Sequence, residues 1–341
     1  MLSARRAQRI CSTVSPCAIT LDRANQRASP HSRHRSPMIT QSPTEFLDAF
    51  AALPVPCAAA TARAAFMVAP ADFSLAAESA RDNAYMDLAM PVDPLHALAQ
   101  HSALAQALRA DCPIITFPGD PAAPDGIFPN NVFATAPGRL IIGRMRHTVR
   151  QREAARADIR AFFGDVLGYD EIDLSGCTDI VAELTGALVI DRLRGVGYCG
   201  LSERCNPAGA QAMAKAFKLQ LLFCFELAAS EYHTNVVLSL LASRAAIIAA
   251  DGFRDPAVPA AIAKAHDERA IWLTPAQKQA FAGNAITLAE NRVWMSAAAS
   301  RALSREQRRA LSSYGFTVGA VELDEIEKAG GSLRCCVAEI F

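Results

Sequence analysis

The chain has no excess of either charge, because 34 lysine and arginine residues balance 34 aspartate and glutamate residues. A balanced chain argues against a polyanion such as nucleic acid as the main partner. The chain also lacks an uninterrupted apolar run of about 18 residues, so no membrane-spanning helix is predicted. We therefore expect the partner to be a small soluble molecule, and the sequence leaves a homo-oligomer open.

Cysteine is too sparse for a disulfide scaffold, with ten residues in 341. Several of the ten lie inside apolar runs such as residues 221–225, which favours buried thiols in a reducing compartment, the cytoplasm. Cys-x-x-Cys pairs and Cys/His clusters with zinc-ligand spacing are both missing. The sequence therefore predicts neither a metal nor an organic cofactor.

One glycine pattern, Gly-Val-Gly-Tyr-Cys-Gly at 195–200, matches the dinucleotide-binding sequence Gly-x-Gly-x-x-Gly. That motif binds pyrophosphate only where a strand turns into the N-terminus of a helix. Here the next helix is predicted to begin at Asn206-Pro207, an N-cap followed by proline at the first helical position. The glycines fall within or beside a strand, so we do not predict a nucleotide site.

Acidic residues are almost missing from residues 1–37, which contain seven arginines and one aspartate, Asp22. This composition is typical of an organelle transit peptide. Alternatively, Met38 is the true start and the upstream stretch is a mis-assigned extension. Under either interpretation we exclude residues 1–37 from the fold and expect residues 38–341 to form a single domain.

What this domain has instead is a repeated pattern, in which two strand-like runs joined by a tight turn precede a helical pattern. Five such units, about fifty residues apart, predict an α/β repeat closed on itself, with the run at 333–340 pairing with the run at 65–68. The other predicted strand pairs are 131–134 with 140–143, 187–191 with 196–201, 236–241 with 245–249, and 285–288 with 293–296. Helices are predicted around 88–108, at 151–163, after Asn206, at 260–266 and at 305–313.

Polar side chains suited to catalysis stand at the start of four of these units. In a closed ring of units the strand starts converge at one end of the axis, so these residues can meet. A thiolate can then attack an electrophilic carbon, a histidine can move protons and a carboxylate can orient the histidine. The segments are Pro-Asp-Gly-Ile-Phe-Pro-Asn-Asn (124–131), Glu-Leu-Thr-Gly (183–186), His-Thr-Asn (233–235) and Gly-Gly-Ser-Leu-Arg-Cys (330–335).

Together these segments resemble the guanidine-modifying (pentein) superfamily. The likeness is to its amidinotransferase-like branch of citrulline-utilising hydrolases, arginine deiminases and dimethylargininases. The run Phe-Met-Val-Ala-Pro at 66–70 and Leu-Ser-Glu-Arg at 201–204 fit the same resemblance, which covers residues 60–341. The resemblance implies a five-bladed, pseudo-symmetric α/β propeller of hairpin-plus-helix units.

The resemblance also implies the roles of individual residues. Cys335 would be the nucleophile, His233 the general acid and base, and Glu183 the carboxylate that orients it. The remaining candidates are substrate-binding: Asp125 and Asn131 for the nitrogens of the reacting group, Asn130 beside them, and Arg204 and Arg150 for the α-carboxylate. From the residues alone, Arg150 could equally belong to a charged helix face over 150–160.

Two departures from the family pattern affect the site. Leu184 stands where glycine commonly follows the motif glutamate, which could alter how closely the backbone approaches the substrate. Cys336 follows the nucleophile where methionine is often found, and on a strand it would point to the opposite face from Cys335.

The predicted substrate is citrulline, because relatives that process cationic guanidinium groups often carry a carboxylate where Asn131 stands. A carboxamide instead matches the donors and the acceptor of a neutral ureido group. We therefore expect cysteine-dependent hydrolysis of citrulline to ornithine, ammonia and carbon dioxide. Arginine deimination, dimethylarginine hydrolysis and amidino transfer are alternatives of the same class. A non-catalytic, ribosome-associated propeller is the alternative of a different class.

Overall fold

The structure, a computed structural model, describes residues 36–54 and 58–341. The two interpretations of residues 1–37 therefore fall almost wholly outside the described residues. The first described strand begins at Met38. None of the helices in the described ranges is long and apolar enough to cross a membrane.

The described strands form five separate mixed sheets. In chain order the strands are β1 (Met38–Thr40), β2 (Ala64–Val68), β3 (Ile114–Phe117), β4 (Phe133–Ala136), β5 (Arg139–Ile142), β6 (Asp170–Asp173), β7 (Leu188–Asp191), β8 (Val196–Leu201), β9 (Leu221–Glu226), β10 (Leu238–Leu241), β11 (Ala245–Ile248), β12 (Ala270–Trp272), β13 (Ile286–Ala289), β14 (Arg292–Ser296), β15 (Thr317–Val321) and β16 (Ala338–Ile340).

Helices and short helical turns connect these strands. They are α1 (Pro43–Ala51), α2 (Pro94–Leu108), α3 (Thr148–Gln151), α4 (Ala157–Ala161), α5 (Leu184–Ala187), α6 (Pro207–Ala216), α7 (Thr234–Val237), α8 (Ala257–Ala265), α9 (Pro275–Gln279), α10 (Ala297–Ala302), α11 (Arg305–Ser313) and α12 (Asp324–Glu327).

Each sheet combines an antiparallel pair of strands with a third strand that is parallel to the second strand of that pair. The antiparallel pair is a hairpin in four sheets, and in the fifth it joins β16 and β2 from opposite ends of the chain. The predicted hairpins are confirmed, including the pairing of the last strand, β16, with β2. The parallel third strands were missed. Most of them are short apolar runs that sequence reading could not separate from the helix before them, and β6 has three acidic residues among its four. A parallel partner needs a crossover connection, and that is the role of α2, α6, α8 and α11.

The sheet that contains β7 and β8 shows how local sequence forms a hairpin followed by a helix, here α6. The side chain of Asn206 accepts a hydrogen bond from the backbone nitrogen of Gly209 and caps α6, and Pro207 occupies its first turn, as predicted. Gly195 has a φ of +66° in the turn between β7 and β8, so the glycine pattern at 195–200 belongs to a hairpin. This placement agrees with the rejection of a nucleotide site.

The predicted continuous helix over 151–163 is wrong. The chain leaves helical conformation at Arg156, whose ψ is 99° and whose guanidinium pairs with Asp158 and donates to the carbonyl of Pro118. Arg150 is not on a charged helix face either, because only 2% of it is exposed. Its ion pair with the equally buried Glu153 holds this segment against the core.

Neighbouring sheets touch through the first strands of their hairpins: β7 contacts β10, β10 contacts β13, and β16 contacts β4. A short turn precedes each of these first strands, and four of the five turns carry predicted site residues. The α/β class is thus established. The closed five-bladed arrangement stays a prediction, since no sheet within residues 36–54 and 58–341 closes on itself.

Candidate active site

The turns before the hairpins converge on one cleft, which encloses about 280 Å³ of empty space and opens to solvent. Six of the eight predicted site residues line it, and Glu183 lies directly behind His233. Asn130 is fully buried next to Asn131 and does not line the cleft. The lining site residues are Asp125, Asn131, Arg150, Arg204, His233 and Cys335.

Cys335 lies in a single 3₁₀ turn, Leu333–Cys336, and not in a strand as predicted, because β16 begins only at Ala338. Its Sγ receives a hydrogen bond from Asn284 Nδ2 at 3.3 Å and lies 3.8 Å from Asn235 Nδ2. Burial raises the pKa of the Cys335 thiol, and the Asn284 bond and nearby arginines offset only part of that rise.

Cys336 shares the turn with Cys335, so strand alternation does not separate the two thiols. It is fully buried in the apolar cluster that includes Leu333 and Val337, and it does not line the cleft. Burial, together with the neighbouring Cys335, raises the pKa of the Cys336 thiol well above its ordinary value. Burial and the shape of the turn therefore keep this thiol from the cleft.

His233 and Glu183 form a buried pair, with His233 Nε2 2.8 Å from Glu183 Oε2. Burial alone would raise the pKa of Glu183, but the charge of Arg204 and the bond from His233 hold it well below its usual range. The pKa of His233 is lowered, because burial outweighs the attraction of Glu183. An ionised carboxylate fixes the proton on Nε2 and leaves Nδ1 as the basic nitrogen. Nδ1 has no hydrogen-bond partner among the described residues.

Leu184 leaves the cleft untouched, because its side chain is buried in the apolar cluster around β7 and β8. The close backbone approach is made by Gly186. A Cβ there would lie 2.5 Å from Asn131 Oδ1 and 2.7 Å from His233 Cε1. The site therefore requires glycine at position 186, and not at position 184, where Leu184 replaces the glycine of the family pattern.

Asp125 and Asn131 also line the cleft, and Asn130 is buried behind Asn131. Asp125 accepts a short hydrogen bond from Ser79 Oγ and lies 4.0 Å from Arg150 Nε. Asn131 Oδ1 and both polar atoms of Asn130 are buried without a partner in the described part of the chain. Unpartnered buried polar atoms are costly, about 1–3 kcal/mol each, and are typical of sites that bind a polar ligand.

The two arginines predicted for the α-carboxylate already have internal partners. Arg204 pairs with Asp82 and Glu183 and donates to the carbonyl of Ser79. Arg150 pairs with Glu153 at 2.9 Å and donates to the carbonyl of Phe128. A substrate carboxylate would have to share or replace these partners, so carboxylate binding by Arg204 and Arg150 remains a prediction.

Two features of the cleft were missed from the sequence. The segment from Ser79 to Asn83 lies over it, anchored by the Asp82 ion pairs and by a bond from Asn83 Nδ2 to the carbonyl of Gly330. Asn284, which is fully buried, bonds to the Cys335 thiol and accepts a bond from the backbone nitrogen of Arg334. A signal for Asn284 was present, because Gly283-Asn284 precedes β13 just as the other site residues precede their strands.

Within the described residues, the potential metal ligands that lie close together are His96, Asp324 and Glu325, outside the cleft. Lys328 Nζ already lies 2.8 Å and 3.0 Å from the two oxygens of Glu325, so an ammonium neutralises the buried carboxylate of this group. The cleft itself offers carboxylates that are bonded to arginine or histidine, an arrangement suited to acid–base chemistry rather than to holding a cation.

Comparison with known proteins places the chain among enzymes that act on guanidino compounds. The sequence model of the eukaryotic N,N-dimethylarginine dimethylhydrolase family matches residues 69–341. Protein YkgA of Bacillus subtilis is 24% identical over 243 residues, which are 71% of this chain and 79% of YkgA.

Two solved structures share the fold at low sequence identity. The N-terminal domain of ArgZ, a cyanobacterial arginine dihydrolase bound to its substrate, has a TM-score of 0.71 at 19% identity, covering 81% of this chain and 97% of that one. The dimethylarginine dimethylhydrolase of Pseudomonas aeruginosa in complex with citrulline has a TM-score of 0.64 at 20% identity, covering 82% and 100%. At such identities the likeness establishes the fold.

Proposed function

The chain belongs to the N,N-dimethylarginine dimethylhydrolase family of the guanidine-modifying superfamily, and on that premise we propose that it hydrolyses citrulline through a covalent Cys335 adduct. Members of this family are hydrolases of carbon–nitrogen bonds other than peptide bonds, and the chain is such an enzyme. The proposal adds the substrate, citrulline, and the products, ornithine, ammonia and carbon dioxide.

The observation that carries the choice of substrate is the buried carboxamide of Asn131, which lines the same cleft as Cys335 and whose Oδ1 has no partner among residues 36–54 and 58–341. A carboxamide presents an acceptor and two donors without charge, which matches the N–H groups and carbonyl of a ureido group. Facing a guanidinium cation, it would give up a charge-assisted hydrogen bond worth roughly 1.5–3 kcal/mol.

The first half of the reaction is attack of the Cys335 sulfur on the ureido carbon. Its proton passes to His233 Nδ1, the nitrogen left free by the bond from Nε2 to Glu183. The carbon–nitrogen bond to the terminal amino group then breaks, and His233 returns the proton to the departing ammonia. A thiocarbamate, in which the ureido carbon is bonded to both sulfur and the side-chain nitrogen, remains on the enzyme.

In the second half, one water molecule attacks the thiocarbamate carbon while His233 accepts its proton. The carbon–sulfur bond breaks, the thiol is restored, and the released carbamate separates into ornithine and carbon dioxide. One water is consumed for each ammonia, ornithine and carbon dioxide produced, so the atoms balance. Throughout, ionised Glu183 stabilises the charged form of His233, and Asn284 Nδ2 donates to the sulfur whenever it carries negative charge.

We also propose that residues 38–341 form one domain in which the five sheets are the blades of a propeller. The contacts of β7 with β10, β10 with β13 and β16 with β4 support this arrangement, as does the contact between the turns α5 and α7. A reducing compartment such as the cytoplasm is the proposed location. Cys199, Cys205 and Cys224 support it, because they lie together in the core as thiols without a disulfide.

The experiment that tests the substrate compares citrulline, arginine and dimethylarginine with the wild-type enzyme and with Asn131→Asp. We expect wild type to turn over citrulline fastest, with ammonia and ornithine in equal amounts. Asn131→Asp should move the ratio of specificity constants toward arginine by about ten- to a hundred-fold, the equivalent of one charge-assisted hydrogen bond.

A preference of wild type for arginine or dimethylarginine by tenfold or more would remove the Asn131 argument. Hydrolysis of dimethylarginine is the second candidate, because the family model that matches residues 69–341 is that of dimethylarginine dimethylhydrolases. The products separate the possibilities, since dimethylarginine yields an alkylamine and citrulline, and citrulline yields ammonia and ornithine.

A further inference from the structure

A second cavity, separate from the cleft, lies among the first strands β7, β10 and β13, with Arg334 and Glu339 from the C-terminal segment. It encloses about 540 Å³ of empty space, part of it open to solvent, and it shares no lining residue with the cleft. Its wall is more polar than the core around it. Hydroxyl groups come from Thr185, Ser239, Ser243 and Thr287, and charged groups from Arg192, Arg334 and Glu339.

Arg192 is the unbalanced charge in this wall. Its guanidinium donates to the carbonyl of Thr135 at 3.0 Å and stacks over the rings of Phe217 and Phe341 at 5.2 Å and 4.2 Å. Among the described residues, no carboxylate lies within ion-pair distance of the Arg192 guanidinium. The carboxylate of Glu339, which also lines the cavity, pairs with Arg334 at 2.8 Å. A partly buried cation without a counter-ion is costly, so such a site favours an anionic partner.

The rest of the chain has almost nothing that could supply this counter-charge. Residues 1–35 and 55–57, which the structure does not describe, contain one acidic side chain, Asp22. Burial lowers the pKa of Arg192 to about 10, and nearby Arg334 adds to the effect although Glu339 opposes it. The guanidinium is therefore charged at neutral pH but poorly stabilised by the protein alone.

The cavity also has hydrogen-bond donors to offer an anion. Thr185 already donates its hydroxyl proton to the carbonyl of Asn130, and Ser239 donates to the carbonyls of Gly283 and Ala285, so the hydroxyls left to an anion are those of Ser243 and Thr287. Thr287 Oγ1 accepts a bond from the backbone nitrogen of Ala242, which leaves its own proton free to donate into the cavity. Arg192 keeps most of its five N–H groups, since one bond is formed to Thr135. A planar guanidinium beside hydroxyl donors matches the geometry of an oxyanion, with two parallel N–H···O bonds.

We propose that this cavity is a binding site for one small oxyanion, of the phosphate or carboxylate type, held by Arg192 and the hydroxyls of Ser243 and Thr287. The site is independent of the hydrolysis proposed above. It does not use Cys335, His233 or any other residue that lines the cleft.

The test measures binding of inorganic phosphate and, separately, of acetate to the full-length protein by calorimetry, at constant ionic strength set with sodium chloride. We expect one saturable site for at least one of the two anions, and the two arms tell phosphate from carboxylate chemistry. Arg192→Gln should weaken that affinity at least tenfold, and Arg192→Lys, which keeps the charge but loses the two parallel N–H groups, should weaken it less than Arg192→Gln does. The matched control is Arg160→Gln, which removes an arginine that lines neither cavity and is already paired with Glu171 at 2.6 Å, and it should leave the affinity unchanged.

Equal affinity in wild type and Arg192→Gln, or no saturable binding of either anion, would overturn the proposal. If Arg192→Gln does not fold, wild-type crystals soaked in selenate decide the matter. An anomalous selenium peak within hydrogen-bond distance of Arg192 supports the site, and a cavity without one rejects it. Cys335→Ser protein should bind the anion as wild type does, and loss of binding in that variant would place the anion in the cleft instead.

Discussion

Burial moves the thiol of Cys335 and the imidazole of His233, the two groups that we propose to react, toward their neutral forms. The pKa of the Cys335 thiol is raised and that of His233 is lowered, so near neutral pH the pair consists of a thiol and a neutral imidazole. Substrate must therefore meet a thiol that gives up its proton during attack, rather than a preformed thiolate. This resting state differs from that of cysteine enzymes whose thiolate is held by a protonated histidine.

The rate should consequently depend on pH in a particular way. His233 becomes protonated only below its ordinary pKa of 6.5, and the thiol ionises only above its ordinary 9.0. We expect kcat/KM for citrulline to be level between these values and to fall below pH 6.5 as His233 gains a proton. A titration of thiolate absorbance with the Cys335→Ser protein as blank should show ionisation above pH 9. A thiolate already present at pH 7 would contradict the neutral pair.

Substitution of Asn284 should change the same titration of the Cys335 thiol. Its amide nitrogen stabilises negative charge on the sulfur, so Asn284→Ala should move the ionisation of the thiol to still higher pH and lower kcat by about tenfold, one hydrogen bond to a charged group. Asn284 also fixes the turn through Arg334, so the fold of the variant has to be checked by its melting temperature. A lower kcat with unchanged thiol ionisation would leave Asn284 a role in positioning alone.

The two adjacent thiols, Cys335 and Cys336, should respond differently to substitution if Cys335 is the nucleophile. Cys335→Ser should reduce turnover to background, and Cys336→Ala should keep most of it, because Cys336 is in the core and does not line the cleft. Mass spectrometry after treatment with a haloacetamidine should find the label on Cys335 in wild type and in Cys336→Ala. A non-catalytic binding protein would label slowly and without selectivity. Equal losses of activity in two folded variants would contradict the assignment.

At the level of elements, the site depends on the short helical turns that precede the first strands of the hairpins. The turn α5 presents Glu183 at its beginning and Gly186 within it, and the turn α7 is preceded by His233. These turns contact each other, and Thr185 Oγ1 also bonds to the carbonyl of Asn130 in the neighbouring turn. Backbone contacts between turns therefore set the distances between side chains that come from different sheets.

Gly186 tests this dependence directly. A Cβ at this position would collide with the Asn131 carboxamide and the His233 ring, so Gly186→Ala should displace both. A displacement of about 1 Å can cost a hundredfold in rate, and we expect a loss of at least that size in kcat/KM. Gly176→Ala is the matched control, because nothing lies within 4 Å of its Cβ position. Equal activity of the two variants would show that the turns tolerate movement.

At the scale of the whole molecule, strand pairing supports the N-terminal boundary that we propose for the domain, at residue 38. Strand β1 pairs in parallel with β9, and Phe46 of α1 stacks on Phe223 at 4.4 Å. Deleting residues 1–37 keeps both features and should change neither the melting temperature nor the rate. Deleting residues 1–41 removes β1 and exposes the edge of β9, so the melting temperature should fall by about 2–4 °C for each kcal/mol lost. A large fall with the shorter deletion would place residues 1–37 within the folded domain.

The sequence by itself determined the hairpins, the chemistry and the candidates for catalysis. Hairpins are encoded locally, by apolar runs around turn residues, and the predicted pairing is confirmed for β4 with β5 and β7 with β8. The Cys, His and carboxylate motifs stood next to strand starts, and a short sequence pattern is enough to mark such positions. The family resemblance implied the role of each of these residues, and it agrees with the family to which the chain belongs.

Only the tertiary structure decided which partners these side chains have. Arg150 and Arg204 face carboxylates that lie 3 and 122 positions away along the chain, and no local pattern shows that Asp82 reaches Arg204. Asn284 was missed for the same reason, since its contact with Cys335 joins residues 51 positions apart. Burial, which moves the pKa values of Cys335 and His233, is likewise a property of the packed tertiary structure. Local sequence fixes backbone preference and chemistry, and long-range packing fixes charge state and geometry.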